Sequence, residues 1–206
     1  MKDKNKPIEK KNAVWRSAKE CAYIAVFVAL VIASQFAFAA VPGVELVTVL
    51  FVAYAYVFGC VRAMAAATAF ALLRQFIFGL MPTVLILYLI YYNLLALCFG
   101  GLGRAVKNPV KGLVWIIGAA CVCTVCFTLL DDCITPLYYA YSAKAARLYF
   151  YASLPVMGTQ TVCAGVSVAL LFLPLQKAFG IVRRTLPPSA PKPKAGNLTK
   201  NAENRI

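Results

Sequence analysis

Apolar residues fall into six runs, separated by short breaks that contain charged residues, glycine or proline. The runs cover 21–41, 46–61, 63–81, 83–99, 112–130 and 154–179. A helix of roughly 20 residues crosses the hydrocarbon core of a bilayer, which is about 30 Å thick. The run 46–61 is the shortest. The pattern predicts an all-α integral membrane protein, a six-helix transmembrane bundle.

The predicted organisation has three parts. Residues 1–20 form a basic N-terminal segment, 21–182 the six-span transmembrane domain, and 183–206 a disordered basic tail rich in Pro, Lys and Asn. The tyrosine-rich segment 133–153 is too polar to span and too apolar for a plain loop, so we interpret it as an interfacial helix or a long ordered loop. The glycines of 100–103 are interpreted as a flexible end to the fourth run.

Composition and charge agree with this picture. The 206 residues are 62% hydrophobic and only 14% charged, whereas soluble domains are roughly 45–50% apolar and about 25% charged. Seven Lys or Arg residues lie in 1–20 and seven more in 177–206, while Lys144 and Arg147 are the basic residues of the predicted outer segments. The positive-inside rule then places both the N- and C-termini in the cytoplasm.

The basic residues that produce the net charge of +14 are therefore expected to orient the helices and to contact the lipid bilayer. We expect no nucleic-acid partner. The eight cysteines and the absence of histidine do not predict a metal site, since cysteine in an apolar helix behaves as a small hydrophobe. The chain has no Walker A loop, HExxH motif or nucleophile elbow. We predict no enzyme activity, no metal and no cofactor.

Arg74 is the least expected residue, because it interrupts the third apolar run. A charge near the bilayer centre costs at least about 2.5 kcal/mol on insertion scales, so such residues usually pair or face a wet cavity. Glu45, Asp131 and Asp132 are the candidate partners. Alternatively, Arg74 extends to the outer headgroups, since it lies roughly 12 Å along a helix from Pro82.

Polar residues collect in the predicted outer half of the bundle. With alternating topology they converge at one depth, where they form either a small-molecule pocket or interhelical hydrogen bonds. Tyr88, Tyr91 and Tyr92 share a helix face, which either contacts a ligand or packs in the bundle. The candidate substrate-binding residues are Gln35, Glu45, Arg74, Gln75, Tyr88, Tyr92, Asn93, Asp131, Asp132 and Gln160.

Small residues form a stripe along the first predicted helix. Ala18/Ala22 and Ala25/Ala29 are small-xxx-small pairs that allow close helix approach. Either an internal neighbour or a partner subunit could meet this stripe.

The stretch 18–104 combines the alanine-rich first helix with three segments: Val41-Pro42-Gly43-Val44-Glu45-Leu46-Val47, Val57-Phe58-Gly59-Cys60-Val61-Arg62 and Phe78-Gly79-Leu80-Met81-Pro82. On these features it resembles the substrate-binding S-components of energy-coupling factor (ECF) vitamin transporters. The resemblance implies a multi-pass protein of the bacterial cytoplasmic membrane that binds a vitamin-like small molecule at its outer side. It also implies a membrane coupling subunit, docked on Ala25/Ala29 or on Ala18/Ala22, and two ATPase subunits.

Two other functions remain open. A self-sufficient secondary carrier often shows repeated halves with broken helices, and no clear repeat is visible in this sequence. A structural or assembly protein of the cell envelope would need no substrate site.

Overall fold

The computed structural model describes residues 6–38, 46–106 and 108–185, with side chains from residue 18 onward. Within these ranges the chain is helical and has no strand, which confirms the all-α prediction for the described residues. The helices are α1 (Lys6–Phe38), α2 (Leu46–Phe58), α3 (Cys60–Phe78), α4 (Pro82–Ala105), α5 (Leu113–Tyr138) and α6 (Ala143–Thr185). The predicted tail falls outside the described residues from 186 onward.

Five of these helices are long and apolar enough to cross a membrane. They are α3, α4, α5, α6 and the part Ala18–Phe38 of α1. Helix α2 has 13 residues, or roughly 20 Å at about 1.5 Å per residue. It ends before the predicted residue 61 because Gly59, at φ 83°, turns the chain directly into α3.

Helix α2 lies at the centre of the bundle. It contacts α1, α3, α4 and α6, and its residues from Val47 to Val57 are all buried. A short helix facing lipid would have to thin the bilayer or tilt. Because α2 is surrounded by protein, its small length carries no such cost.

Successive helices run antiparallel, which defines two ends of the bundle. We call the end with Phe38, Phe78 and Tyr138 the upper end, and the end with Phe58, Ala105 and Thr185 the lower end. At the lower end Arg62 forms a salt bridge with Glu20 at 2.7 Å, which joins α3 to α1. The upper end corresponds to the predicted outer side.

Glycines let α4 approach the junction between α2 and α3. A Cβ on Gly100 would lie 2.5 Å from the backbone nitrogen of Cys60, and one on Gly103 would meet the backbone of Tyr56. The prediction of a flexible end was wrong: α4 continues through this segment to Ala105. Glycine is used here for close packing, since even one methyl group would enter the neighbouring backbone.

The interpretation of 133–153 as an interfacial helix or a long loop was also wrong. The segment belongs to α5 and α6, which form an antiparallel hairpin joined by a turn at 139–142. The polar side chains that made it look interfacial form hydrogen bonds across the hairpin, such as Tyr149 to Asp131 at 2.8 Å. Helix α6 has 43 residues, or roughly 65 Å, about twice the thickness of the hydrocarbon core.

Candidate functional site

The guanidinium of Arg74 lies between two aromatic rings near the upper end. Its Cζ is 4.6 Å from the centroid of the Tyr88 ring and 4.8 Å from that of Phe78. Its Nε donates a hydrogen bond to Oε1 of Gln35 at 3.1 Å. The other amide atom of Gln35, Nε2, donates to the Tyr88 hydroxyl at 3.2 Å. We call these four residues the arginine site.

Local sequence and helix packing both build this arrangement. Phe78 follows Arg74 by four residues on α3, and positions i and i+4 lie on one helix face. Gln35 lies in the last turn of α1, and Tyr88 in the first half of α4. Helix α3 packs against both α1 and α4, so the three helices meet at the guanidinium.

Tyr88 is held in place by an aromatic cluster below the guanidinium. It stacks on Phe70 at 5.8 Å between ring centroids and contacts Tyr92 edge-on at 5.1 Å. Tyr92 packs in turn on Phe51 of the central helix at 4.8 Å. Tyr88, Tyr91 and Tyr92 are all buried, so the predicted tyrosine face points into the bundle. The arginine site therefore rests on buried aromatic rings, and we call Phe51, Phe70 and Tyr92 the aromatic floor.

The ion pairs predicted for Arg74 are absent among the described residues. Neither Asp131 nor Asp132 forms a salt bridge with it, and Glu45 lies outside the described residues. Nη1 of Arg74 is buried and has no hydrogen-bond partner there. Cation–π contact contributes about 0.5–2 kcal/mol, whereas a buried donor left unpaired costs about 1–3 kcal/mol. The site thus holds a cation but leaves one donor unused.

Arg74 also lies closer to the upper end than the sequence indicated. Helix α3 ends at Phe78, so Arg74 is one turn, or roughly 6 Å, from the helix end. Its side chain is half-buried. The guanidinium is nevertheless packed under Phe78 and against Tyr88, and does not simply extend into solvent.

Asp131 and Asp132 form a second polar group, within the α5–α6 hairpin. Asp131 accepts hydrogen bonds from Thr135 and Tyr149, both at 2.8 Å. Asp132 accepts one from Ser153 at 2.7 Å, and its Oδ1 is buried without a partner in the described chain. These contacts tie the two helices together.

The other predicted site residues have contacts of a structural kind. Gln75 is buried and accepts a hydrogen bond from the backbone N–H of Met81 at 3.1 Å, which closes the turn from α3 to α4. Asn93 donates to the Thr68 hydroxyl at 3.3 Å and to the Leu89 carbonyl at 2.7 Å.

Gln160 accepts a hydrogen bond from Thr128 at 3.5 Å, which links α6 to α5. Tyr92, 1% exposed, belongs to the aromatic floor. By direct contact the structure brings together four of the predicted substrate residues: Gln35, Arg74 and Tyr88, with Tyr92 packed on Tyr88.

Sequence reasoning missed Phe78, Tyr149 and Ser153. The i+4 spacing between Arg74 and Phe78 was a usable signal for the first. Nothing local identifies the other two, because they contact residues 18 and 21 positions away on the preceding helix. Within the described ranges, no group of three or more His, Cys, Asp or Glu side chains is placed to hold a metal ion.

The alanine stripe of α1 faces outward. Ala18, Ala22, Ala25 and Ala29 are all exposed, so in the described structure no internal helix covers them. An apolar groove of about 160 Å³ lies between α1, α2 and α6 toward the lower end. Its lining residues are Tyr23, Val26, Phe27, Leu30, Tyr54, Phe58, Phe179 and Val182.

Searches against protein-family models, curated proteins and solved structures found no match to this chain. The resemblance to ECF S-components therefore stays a prediction from the sequence.

Proposed function

We propose that this chain is a substrate-binding membrane subunit that takes up a vitamin-like micronutrient from the outside and delivers it with an ATP-driven module. The observation that carries the proposal is the arginine site. A cation is held among three helices of an apolar bundle by an amide and two rings, and its Nη1 is buried without a partner among the described residues. Ionisable residues inside membrane bundles usually mark substrate or ion pathways.

The proposed topology has six spans with both termini in the cytoplasm. Helix α2 would be the second span, buried and shorter than the others. The upper end would then face outward, because the basic segments 1–20 and 177–206 adjoin the lower end. In this orientation the arginine site would lie near the external end of the bundle.

Dependence on partner subunits is supported by the surface of α1. Its four small side chains leave a flat exposed face, and helices in membranes associate through such faces because the backbones can approach closely. The sequence contains no phosphate-binding loop for ATP. Energy would therefore come from ATPase subunits, through a membrane coupling subunit docked on this face.

The test is binding by the purified chain alone. The protein is reconstituted in lipid nanodiscs, small molecules that it retains are identified by mass spectrometry, and a panel of vitamins is titrated by calorimetry. We expect tight binding of one compound at about one molecule per chain, without ATP hydrolysis. Gln35→Ala should weaken binding, whereas Gln160→Ala, in the α5–α6 hairpin, should not. A folded protein that retains nothing and binds none of the vitamins would contradict the proposal.

An assembly role in the cell envelope is the second candidate. The tip of the α5–α6 hairpin exposes Leu137, Tyr138, Tyr139, Leu148 and Tyr151, and exposed apolar patches can mark interaction sites. Replacing Leu137 and Leu148 by serine separates the two functions. Loss of a co-purifying protein with small-molecule binding intact would favour assembly.

A further inference from the structure

We propose that the substrate carries a carboxylate or phosphate group, and that this anionic group binds Nη1 of Arg74. The inference rests on the proposed function, since it names the chemical class of the ligand of the same site. It depends on which atoms of the arginine site are already used and which are free.

Most of the guanidinium is occupied. Its Nε donates to Gln35, and the ring centroids of Phe78 and Tyr88 lie 4.8 Å and 4.6 Å from its Cζ. An anion would bind the N–H groups, which point outward along the edge of the guanidinium plane. Nη1 lies on that edge and is the buried nitrogen without a partner among the described residues.

Gln35 acts as a positioning residue. Both of its amide groups are engaged, one accepting from Arg74 and the other donating to Tyr88. This fixes the rotation of the guanidinium about its long side chain before any ligand arrives. A donor held in place in this way loses less side-chain entropy on binding.

The charge of the site selects the ligand. The arginine side chain carries a positive charge in proteins, and no carboxylate in the described structure forms a salt bridge with Arg74. Asp131 and Asp132 accept hydrogen bonds from Tyr149 and Ser153 within the hairpin. A cationic solute would be repelled, and a neutral carbonyl would form only a neutral-acceptor hydrogen bond. A carboxylate or phosphate would form the stronger charge-assisted bond.

The experiment compares Arg74→Gln and Arg74→Lys with Arg104→Gln, a control at the lower end of α4. Each protein is purified in nanodiscs, and its retained small molecules are identified by mass spectrometry. Thermal stability is then measured with nicotinate, with its neutral amide nicotinamide and with inorganic phosphate at matched ionic strength. Nicotinate and phosphate distinguish a carboxylate from a phosphate as the preferred anion.

We expect the retained molecule to be anionic and its affinity to fall about 10- to 100-fold in Arg74→Gln, the range for one charge-assisted hydrogen bond. Arg74→Lys should lose less, because the charge remains while the planar fork is lost; it also serves if Arg74→Gln does not fold. Arg104→Gln should match the original protein. Nicotinate or phosphate, but not nicotinamide, should stabilise the original protein.

Three results would overturn the inference. A retained molecule that is neutral or cationic and is lost in Gln35→Ala contradicts the ligand class but leaves the proposed function standing. An anionic molecule whose affinity is unchanged in both Arg74 variants contradicts the role of Arg74 alone. A folded protein that retains nothing and responds to none of the probes contradicts both proposals.

Discussion

Substitution of Gly100 by alanine tests how closely α4 is packed against the junction of α2 and α3. The added methyl group would lie 2.5 Å from the backbone nitrogen and 2.8 Å from Cα of Cys60. These are backbone atoms next to Gly59, so they cannot rotate away as a side-chain end would. Helix α4 would have to shift, and overpacking of this kind costs about 1–3 kcal/mol.

Alanine also stabilises a helix relative to glycine, by about 0.5–1 kcal/mol. This gain offsets part of the cost, so the net destabilisation expected for Gly100→Ala is roughly 0–2.5 kcal/mol. The neighbouring Gly101 supplies a matched control. A Cβ there has no neighbour within 4 Å, and Gly101→Ala should show only the helix gain.

The assay is thermal unfolding of the purified protein, followed by a dye that fluoresces when it reacts with exposed thiols. The partly buried cysteines Cys60, Cys121, Cys123 and Cys163 become more accessible to the dye when the bundle opens. Gly100→Ala should have a lower apparent Tm than the original protein, and Gly101→Ala an equal or higher one. Equal Tm values for the two variants would refute the close approach of α4 to Cys60.

Three further changes test the polar contacts. Gln75→Ala should destabilise by about 1–3 kcal/mol, because the backbone N–H of Met81 loses its acceptor. The apparent Tm should fall, and Gln75→Leu should not restore it. Asn93→Leu should lower the stability by about 0.6–1.7 kcal/mol through loss of the hydrogen bond to Thr68, and ligand retention should be unchanged. Loss of retention would instead assign Asn93 to the site. Tyr149→Phe removes the hydrogen bond to its partner carboxylate on α5. Amide hydrogen exchange should become faster at the hairpin turn and stay unchanged in α3. Equal changes in exchange rate at the turn and in α3 would contradict this.

Each apolar run corresponds to one helix, although α5 extends beyond residue 130 and α6 begins before residue 154. A membrane helix satisfies its own backbone hydrogen bonds, so local composition is enough to place it. The segment around Tyr149 shows the limit of this rule. Its polar side chains resembled those of a loop or surface helix, yet they form hydrogen bonds with α5 across the hairpin. Those partners lie on another helix, where no local pattern records them.

The candidate site shows the same division. Sequence alone identified Arg74 as a charge in need of a partner, because the cost of a charge in hydrocarbon depends only on its own run. It gave Glu45, Asp131 and Asp132 as candidate partners. Within the described residues the structure supplies Gln35 and two rings. Opposite charge is visible in a sequence, but the distance between helices is not.

The sequence by itself determined where the helices lie, which flanks are basic and which residue carries an unexpected charge. These properties depend on neighbours within one or two turns. Only the tertiary structure decided that the short α2 occupies the centre, that Gly100 meets Cys60, and that three helices meet at the guanidinium. Those outcomes depend on how each helix is rotated and how far it is shifted along its axis, which packing across the whole bundle sets.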